Sequence, residues 1–172
     1  MLNINFKNSK IIVGLWLLIL TLMVYLIILV GGLTRLTESG LSIVYWKPIL
    51  GIFPPLTSNE WVEVFNNYKM SPEYLILNNK MQINDFKVIY WWEYFHRLLA
   101  RIIGIIFIIP FTYFIIKKYL SKKLIKQLVI VFLLGILQAI IGWWMVKSGL
   151  IDNPYVSQYR LSIHLFNAII IL

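Results

Sequence analysis

Long apolar runs separated by polar segments are the dominant pattern along this chain. The first run, residues 11–30, contains no charged residue and is followed by Gly31 and Gly32. Twenty helical residues, at about 1.5 Å each, span the roughly 30 Å hydrocarbon core of a bilayer. A cleaved signal peptide fits less well, because the run is longer than a typical signal core and no small-residue cleavage site follows it. The pattern predicts a retained transmembrane helix over 11–31.

Two further runs, at 90–116 and 124–146, are also long enough to span the membrane, and a fourth begins near residue 161. The fourth run holds only twelve residues, which are too few to cross the membrane, so we expect it to be the start of a fourth span. The predicted fold class is all-α, a polytopic transmembrane helical bundle with an outer helical cap. The predicted order is a span at 11–31, an outer segment at 32–87, a span at 90–116, a lysine-rich loop at 117–123, a span at 124–146, an outer loop at 147–160 and the start of a span at 161–172.

The polar segment 32–87 carries two helix-start signals. Thr57 followed by Glu60 has the spacing of a capping box, and Ser71 before Pro72 is typical of an N-cap with proline at the first helical position. These signals predict short helices near 58–68 and 72–79. Their apolar faces are expected to pack on the bundle through Trp61, Phe65 and Tyr74.

Composition and charge support a membrane protein and give its orientation. Apolar residues make up 60% of the chain and charged residues 13%, whereas soluble domains carry roughly 25% charge. The net charge of +9 does not indicate nucleic acid, because the lysines cluster between two apolar runs, where positive charge marks the cytoplasmic side. The N-terminus is therefore predicted to be cytoplasmic as well. The absence of cysteine excludes disulfides, thiolate ligands and covalent c-type haem attachment. The clustered residues are Lys117, Lys118, Lys122, Lys123 and Lys126.

The chain has two histidines, and both are predicted to lie at the same depth. His96 is four residues past Trp92 and His164 is four residues past Arg160, so each lies about 6 Å into the bilayer by helix rise. Two imidazoles at one depth on two helices can ligate a haem iron from opposite faces. The alternative is that each histidine is a hydrogen-bonded packing residue.

Ionisable residues on the second span form a helical stripe. Glu93, Arg97 and Arg101 follow an i, i+4, i+8 spacing, and such groups are expensive to bury in a membrane. One reading is a self-neutralising ladder; the other gives Glu93 a proton-transfer role and gives both arginines haem carboxylates to bind. Arg35 is either a snorkelling anchor or a further carboxylate partner. Gln138 is expected to donate an interhelical hydrogen bond rather than to ligate a metal.

Several segments together resemble the signature of the haem A synthase family, in order and spacing, over nearly the whole chain from Gly31. The family's cysteine-free branch, found in alphaproteobacteria and mitochondria, is the more similar one. The segments are 31–42 (GGLTRLTESGLS), 46–48 (WKP), 54–56 (PPL), Glu93-x-x-His96-Arg97, 142–150 (GWWMVKSGL) and Arg160-Leu161-x-x-His164.

The resemblance implies eight membrane helices in two pseudo-symmetric halves, each with a histidine pair at a haem site. It implies that haem O is the substrate, haem b a cofactor, and the reaction two successive hydroxylations that convert a ring methyl into the formyl group of haem A for cytochrome c oxidase. His96 and His164 would then be the iron ligands of the N-terminal half, Glu93 the catalytic acid or base, and Arg97, Arg101 and Arg35 cofactor-binding residues.

The resemblance also implies location and partners. The expected location is a bacterial inner membrane, and the expected partners are haem O synthase and oxidase assembly components. The family's C-terminal half lies outside this sequence. It belongs to a longer chain, a second polypeptide or a second copy of this one, or it has been lost. Two other functions stay open, a non-enzymatic b-type haem protein or haem-handling assembly factor, and a structural membrane subunit.

Overall fold

All regular structure that the computed structural model describes, in residues 6–45, 50–151 and 153–172, is helical. This confirms the predicted all-α class. Three helices are long and apolar enough to cross a membrane: α1, α4 and α5. The motif at 46–48 lies outside the described residues. The helices are α1 (Phe6–Leu36), α2 (Ser58–Lys69), α3 (Pro72–Ile76), α4 (Ile83–Ile116), α5 (Lys122–Lys147) and α6 (Gln158–Ile171), with a 3₁₀ turn at Leu50–Ile52.

Helix α1 continues past the paired glycines to Leu36. It ends there because Glu38 adopts a left-handed conformation, with φ 51°. The N–H of Ser39 then donates to the Thr34 carbonyl at 3.0 Å, and the N–H of Glu38 donates to the Arg35 carbonyl at 3.2 Å. These two bonds form a Schellman motif, which satisfies carbonyls at the end of a helix.

Helix α4 begins at Ile83, before the predicted start of the span at 90. The cause is a capping box, in which Gln82 is the N-cap and Asp85 the third helical residue. The predicted outer segment 32–87 therefore ends in the first turns of α4. The side of the membrane that each end of the bundle faces remains a prediction.

Pro110 lies inside α4, which nevertheless runs on to Ile116. Proline has no backbone N–H, so the carbonyl of Ile106 loses its partner within the helix. The indole Nε1 of Trp16 on α1 donates to that carbonyl at 2.8 Å. Around this bond an apolar core joins α1, α4 and α5. Its buried members are Val13, Trp16, Leu20, Phe107, Phe114, Leu120 and Leu128.

The opposite end of α4 is covered by a segment that we call the cap, residues 37–45 and 50–82. Its predicted capping box forms, with the Thr57 hydroxyl accepting from the Glu60 N–H and the Glu60 carboxylate accepting from the Thr57 N–H. Trp61 and Phe65 of α2 are buried against Tyr90 and Phe86 of α4, with ring centroids 5.0 Å apart in each pair. The apolar face of α2 therefore packs on the bundle as predicted, whereas Tyr74 of α3 packs against Phe65 of α2.

The contacts between the long helices determine where the two histidines lie. Helix α1 packs against α4, and α5 packs against α6. Helix α1 also contacts α6, so the two histidine-bearing helices, α4 and α6, both lie beside α1.

Candidate functional site

Each histidine packs against a glycine of the neighbouring helix. A Cβ built on Gly31 of α1 would lie 3.2 Å from Nε2 of His96, and one built on Gly142 of α5 would lie 3.0 Å from Cε1 of His164. Both predicted ligands thus lie against a neighbouring helix, so close to its glycine that a Cβ there would require the ring to shift.

His164 is held by a polar network between α5 and α6. Gln138 Nε2 donates to the His164 carbonyl at 3.0 Å and lies 3.2 Å from the ring Nε2. Asn167 Nδ2 donates to Gln138 Oε1 at 2.7 Å. The prediction that Gln138 donates between helices is confirmed. The other ring nitrogen, Nδ1, is buried and has no hydrogen-bond partner within the described ranges.

Glu93 is 3% exposed and its carboxylate is fully engaged. One oxygen accepts from the Ser42 hydroxyl and from the Ile43 N–H, each at 2.7 Å. The other oxygen pairs with Arg97, which also donates to the Ile43 carbonyl at 3.1 Å. The carboxylate therefore joins α4 to the chain segment that follows α1, and of the two arginines in the ladder reading it pairs with Arg97.

Both arginines of the stripe line a cavity of about 320 Å³ between the cap and α4. Tyr90 and Tyr94 line it as well, and neither histidine does. Arg97 and Arg101 thus face the cap, whereas His96 faces α1. Arg35 lies in the last turn of α1 with an exposed side chain.

A second buried carboxyl lies in the cap. Glu73 is 4% exposed and accepts a hydrogen bond from the hydroxyl of fully buried Tyr68 at 3.0 Å. Burial raises the pKa of Glu73 to about 7, and the nearby charges of Glu93 and Glu38 act in the same direction. Burial also raises the pKa of Tyr68. By contrast, hydrogen bonds from the backbone N–H groups of Thr57 and Leu56 lower the pKa of the exposed Glu60.

A haem is the cofactor that the resemblance implies, and the two histidines fit one. Imidazole ring nitrogens are common donors to haem iron. The buried, unpartnered Nδ1 of His164 and the glycine contacts of both rings show that imidazoles are packed here at a cost, which a purely apolar core would not require. Arg97 and Arg101 carry positive charge of the kind that haem carboxylates bind, in a cavity that neither histidine lines.

Several contacts of this site have no clear signal in the sequence. Gly31 and Gly142 lie within motifs of the resemblance, but no local pattern predicts that they meet the imidazoles, or that Ser42 donates to the Glu93 carboxylate. Asn167 lies three residues after His164 and so near it on the same helix face, which is the one signal that points to it. No sequence pattern predicts the buried pair of Tyr68 and Glu73.

The fold and site together define a class: a helical membrane protein in which two helices that both contact α1 each pack an imidazole against a glycine of an adjacent helix. The chain belongs to the cytochrome oxidase assembly protein family COX15-CtaA, whose sequence model matches residues 14–172. No solved structure matches the chain significantly.

The chain is similar to several proteins named Heme A synthase. The one from Nitrosospira multiformis is 53% identical over 153 residues, which cover 89% of this chain and 43% of that protein. Those from Nitrosomonas eutropha and Ehrlichia canis are 50% and 48% identical over 167 residues, which cover 97% of this chain and 47% and 48% of those proteins. The chain spans about half the length of the curated relatives it matches.

Proposed function

We propose that this chain is the N-terminal, haem-binding half of a haem A synthase. The observation that carries the proposal is the pair of imidazoles, His96 and His164, each packed against a glycine of an adjacent helix. Relatives named Heme A synthase at about half sequence identity support it. The activity proposed for the whole protein is oxidation of a ring methyl of haem O to the formyl group of haem A.

His96 and His164 are the proposed axial ligands of a haem held between α4 and α6. A bound haem supplies redox chemistry at its iron, and the proposed haems of the whole protein are haem O as substrate and haem b as cofactor. Arg97 and Arg101 supply positive charge for the haem carboxylates. Arg35 is a proposed further carboxylate partner at the surface.

Glu93 is the proposed acid–base group. Oxidation of a methyl to a formyl group breaks C–H bonds and requires proton transfer, and Glu93 lies one helical turn from His96. Its hydrogen bonds to Ser42 and Ile43 also give it a structural part, because they tie the segment after α1 to the helix that carries the ligand.

The proposed location is a bacterial inner membrane, with the N-terminus and the lysine-rich loop in the cytoplasm and the cap outside. Positive charge clusters at the end of the bundle opposite the cap, which supports this orientation. Proposed partners are haem O synthase, oxidase assembly components, and either a C-terminal half or a second copy of this chain.

Haem binding is tested by adding haem b or haem O to the purified chain in detergent and recording the absorption spectrum. We expect a low-spin spectrum with two nitrogen ligands, which His96→Ala and His164→Ala each abolish. Gly31→Ala is expected to disturb it, whereas Gly32→Ala, which meets no atom within 4 Å, is the matched control. A low-spin spectrum that persists in both alanine variants would exclude this histidine pair.

Activity is tested in a bacterial strain that lacks haem A synthase. The chain is expressed alone and together with the part of the Nitrosospira multiformis relative that lies beyond the matched region. Haem A formed in the combined strain supports the enzyme. Haem bound without any haem A formed would instead support the non-enzymatic haem protein.

A further inference from the structure

The amide groups between α5 and α6 can have only one orientation. Asn167 Nδ2 lies 3.1 Å from the Leu134 carbonyl oxygen, which can only accept, so this atom must be the amide nitrogen. The atom of Gln138 that it meets at 2.7 Å must then be oxygen. The Gln138 nitrogen therefore faces α6, where it donates to the His164 carbonyl at 3.0 Å. Both ends of the network give the same assignment.

This orientation fixes the position of a proton on the His164 ring. The Gln138 nitrogen lies 3.2 Å from the ring Nε2. An amide nitrogen has no lone pair to accept with, so Nε2 must be the acceptor and carry no hydrogen. A neutral imidazole then carries its proton on Nδ1, the buried nitrogen beside Gly142.

We propose that Gln138, held in place by Asn167, is a positioning residue that keeps His164 in the Nδ1–H tautomer. Metals bind a neutral imidazole through its unprotonated nitrogen, so in this tautomer an iron would displace only the Gln138 hydrogen bond from Nε2, without any proton transfer. This consequence rests on the proposed function, whereas the tautomer itself follows from the hydrogen bonds alone.

The tautomer is measured by ¹⁵N NMR of the haem-free chain, labelled at histidine, in detergent at a pH where the imidazole is neutral. The chain has only two histidines, so His96→Ala assigns the signals. We expect the Nδ1–H pattern for His164 in the unmodified chain. Gln138→Leu should shift it towards the Nε2–H form, and Asn167→Leu should shift it in the same direction. Gln127→Leu, at an exposed position of α5, should leave it unchanged.

A folding readout separates positioning from general stability. Gln138→Leu should change the tautomer while the far-ultraviolet circular dichroism of the helices stays as in the unmodified chain. An Nε2–H pattern for His164 in the unmodified chain would overturn the proposal, even if no variant folds. An unchanged tautomer in a folded Gln138→Leu chain would also overturn it. Failure of His164 to bind haem would overturn the proposed function and leave the tautomer measurement intact.

Discussion

The substitution Glu93→Gln tests the buried carboxylate with almost no change of shape. The carboxylate accepts hydrogen bonds from Ser42 and Ile43 on one oxygen and pairs with Arg97 through the other. A glutamine amide has only one oxygen. Its NH₂ group must therefore face either the Ser42 hydroxyl and the Ile43 N–H or the guanidinium of Arg97. In both orientations a hydrogen-bond donor faces another donor.

The expected loss of stability follows from these contacts. Removing one partner of a buried ion pair costs about 3–5 kcal/mol, and losing a hydrogen bond to a charged group costs about 1.5–3 kcal/mol. Arg97 is 16% exposed, so water recovers part of the cost. We expect a loss of about 2–4 kcal/mol, which corresponds to roughly 10²-fold faster local opening.

Hydrogen exchange of the peptide that contains Ile43, measured by mass spectrometry in detergent, reports this opening directly. Glu93→Gln should speed its exchange roughly 10²-fold, whereas the exposed Glu63→Gln should not change it. If Glu93→Gln leaves exchange and haem retention unchanged while haem A formation falls about 10²–10⁴-fold, the carboxylate is purely an acid–base group. The reasoning from its hydrogen bonds would then be refuted.

Three further predictions concern Gly142 beside His164, the buried carboxyl of Glu73, and the hydrogen bond from Trp16 to the Ile106 carbonyl. Gly142→Ala should displace the α6 imidazole and alter the low-spin haem spectrum, because the new Cβ would lie 3.0 Å from the ring, whereas Gly135→Ala meets no atom within 4 Å and should not. Glu73 has a folded-state pKa of about 7 against a usual value of 4.5, so it stabilises the cap fully below about pH 4.5 and loses that effect as the pH rises to about 7. The free energy of unfolding of the cap, measured against pH, should therefore change by about 2–3 kcal/mol. This change should be absent in Glu73→Gln and should remain in Glu63→Gln. Trp16→Phe removes the donor to the carbonyl that the proline frees, so the melting temperature should fall by the equivalent of about 1–3 kcal/mol, and an unchanged melting temperature would contradict this role.

The sequence was sufficient to predict the helices and the residue types of the site, but not its contacts. The apolar run at 11–30 is long enough to predict a membrane helix from local information alone. The contact between Ile43 and Glu93 joins residues fifty positions apart, and it depends on how the cap folds back over α4. The contacts of Gly31 and Gly142 depend on the rotation of each helix about its axis, which an almost uniformly apolar surface does not specify.

The bond between Trp16 and the Ile106 carbonyl has an effect far from its own position. Pro110 frees this carbonyl, so the indole bonds to α4 at that level, and the longitudinal register between the two helices is set there. Gly31 lies fifteen residues further along α1, roughly 22 Å by helix rise. A slide of about 1.5 Å along the axis, one residue's rise, would move Gly31 off the level of the imidazole. Hydrogen bonding at one end of the bundle thus sets which residue a histidine meets at the other end.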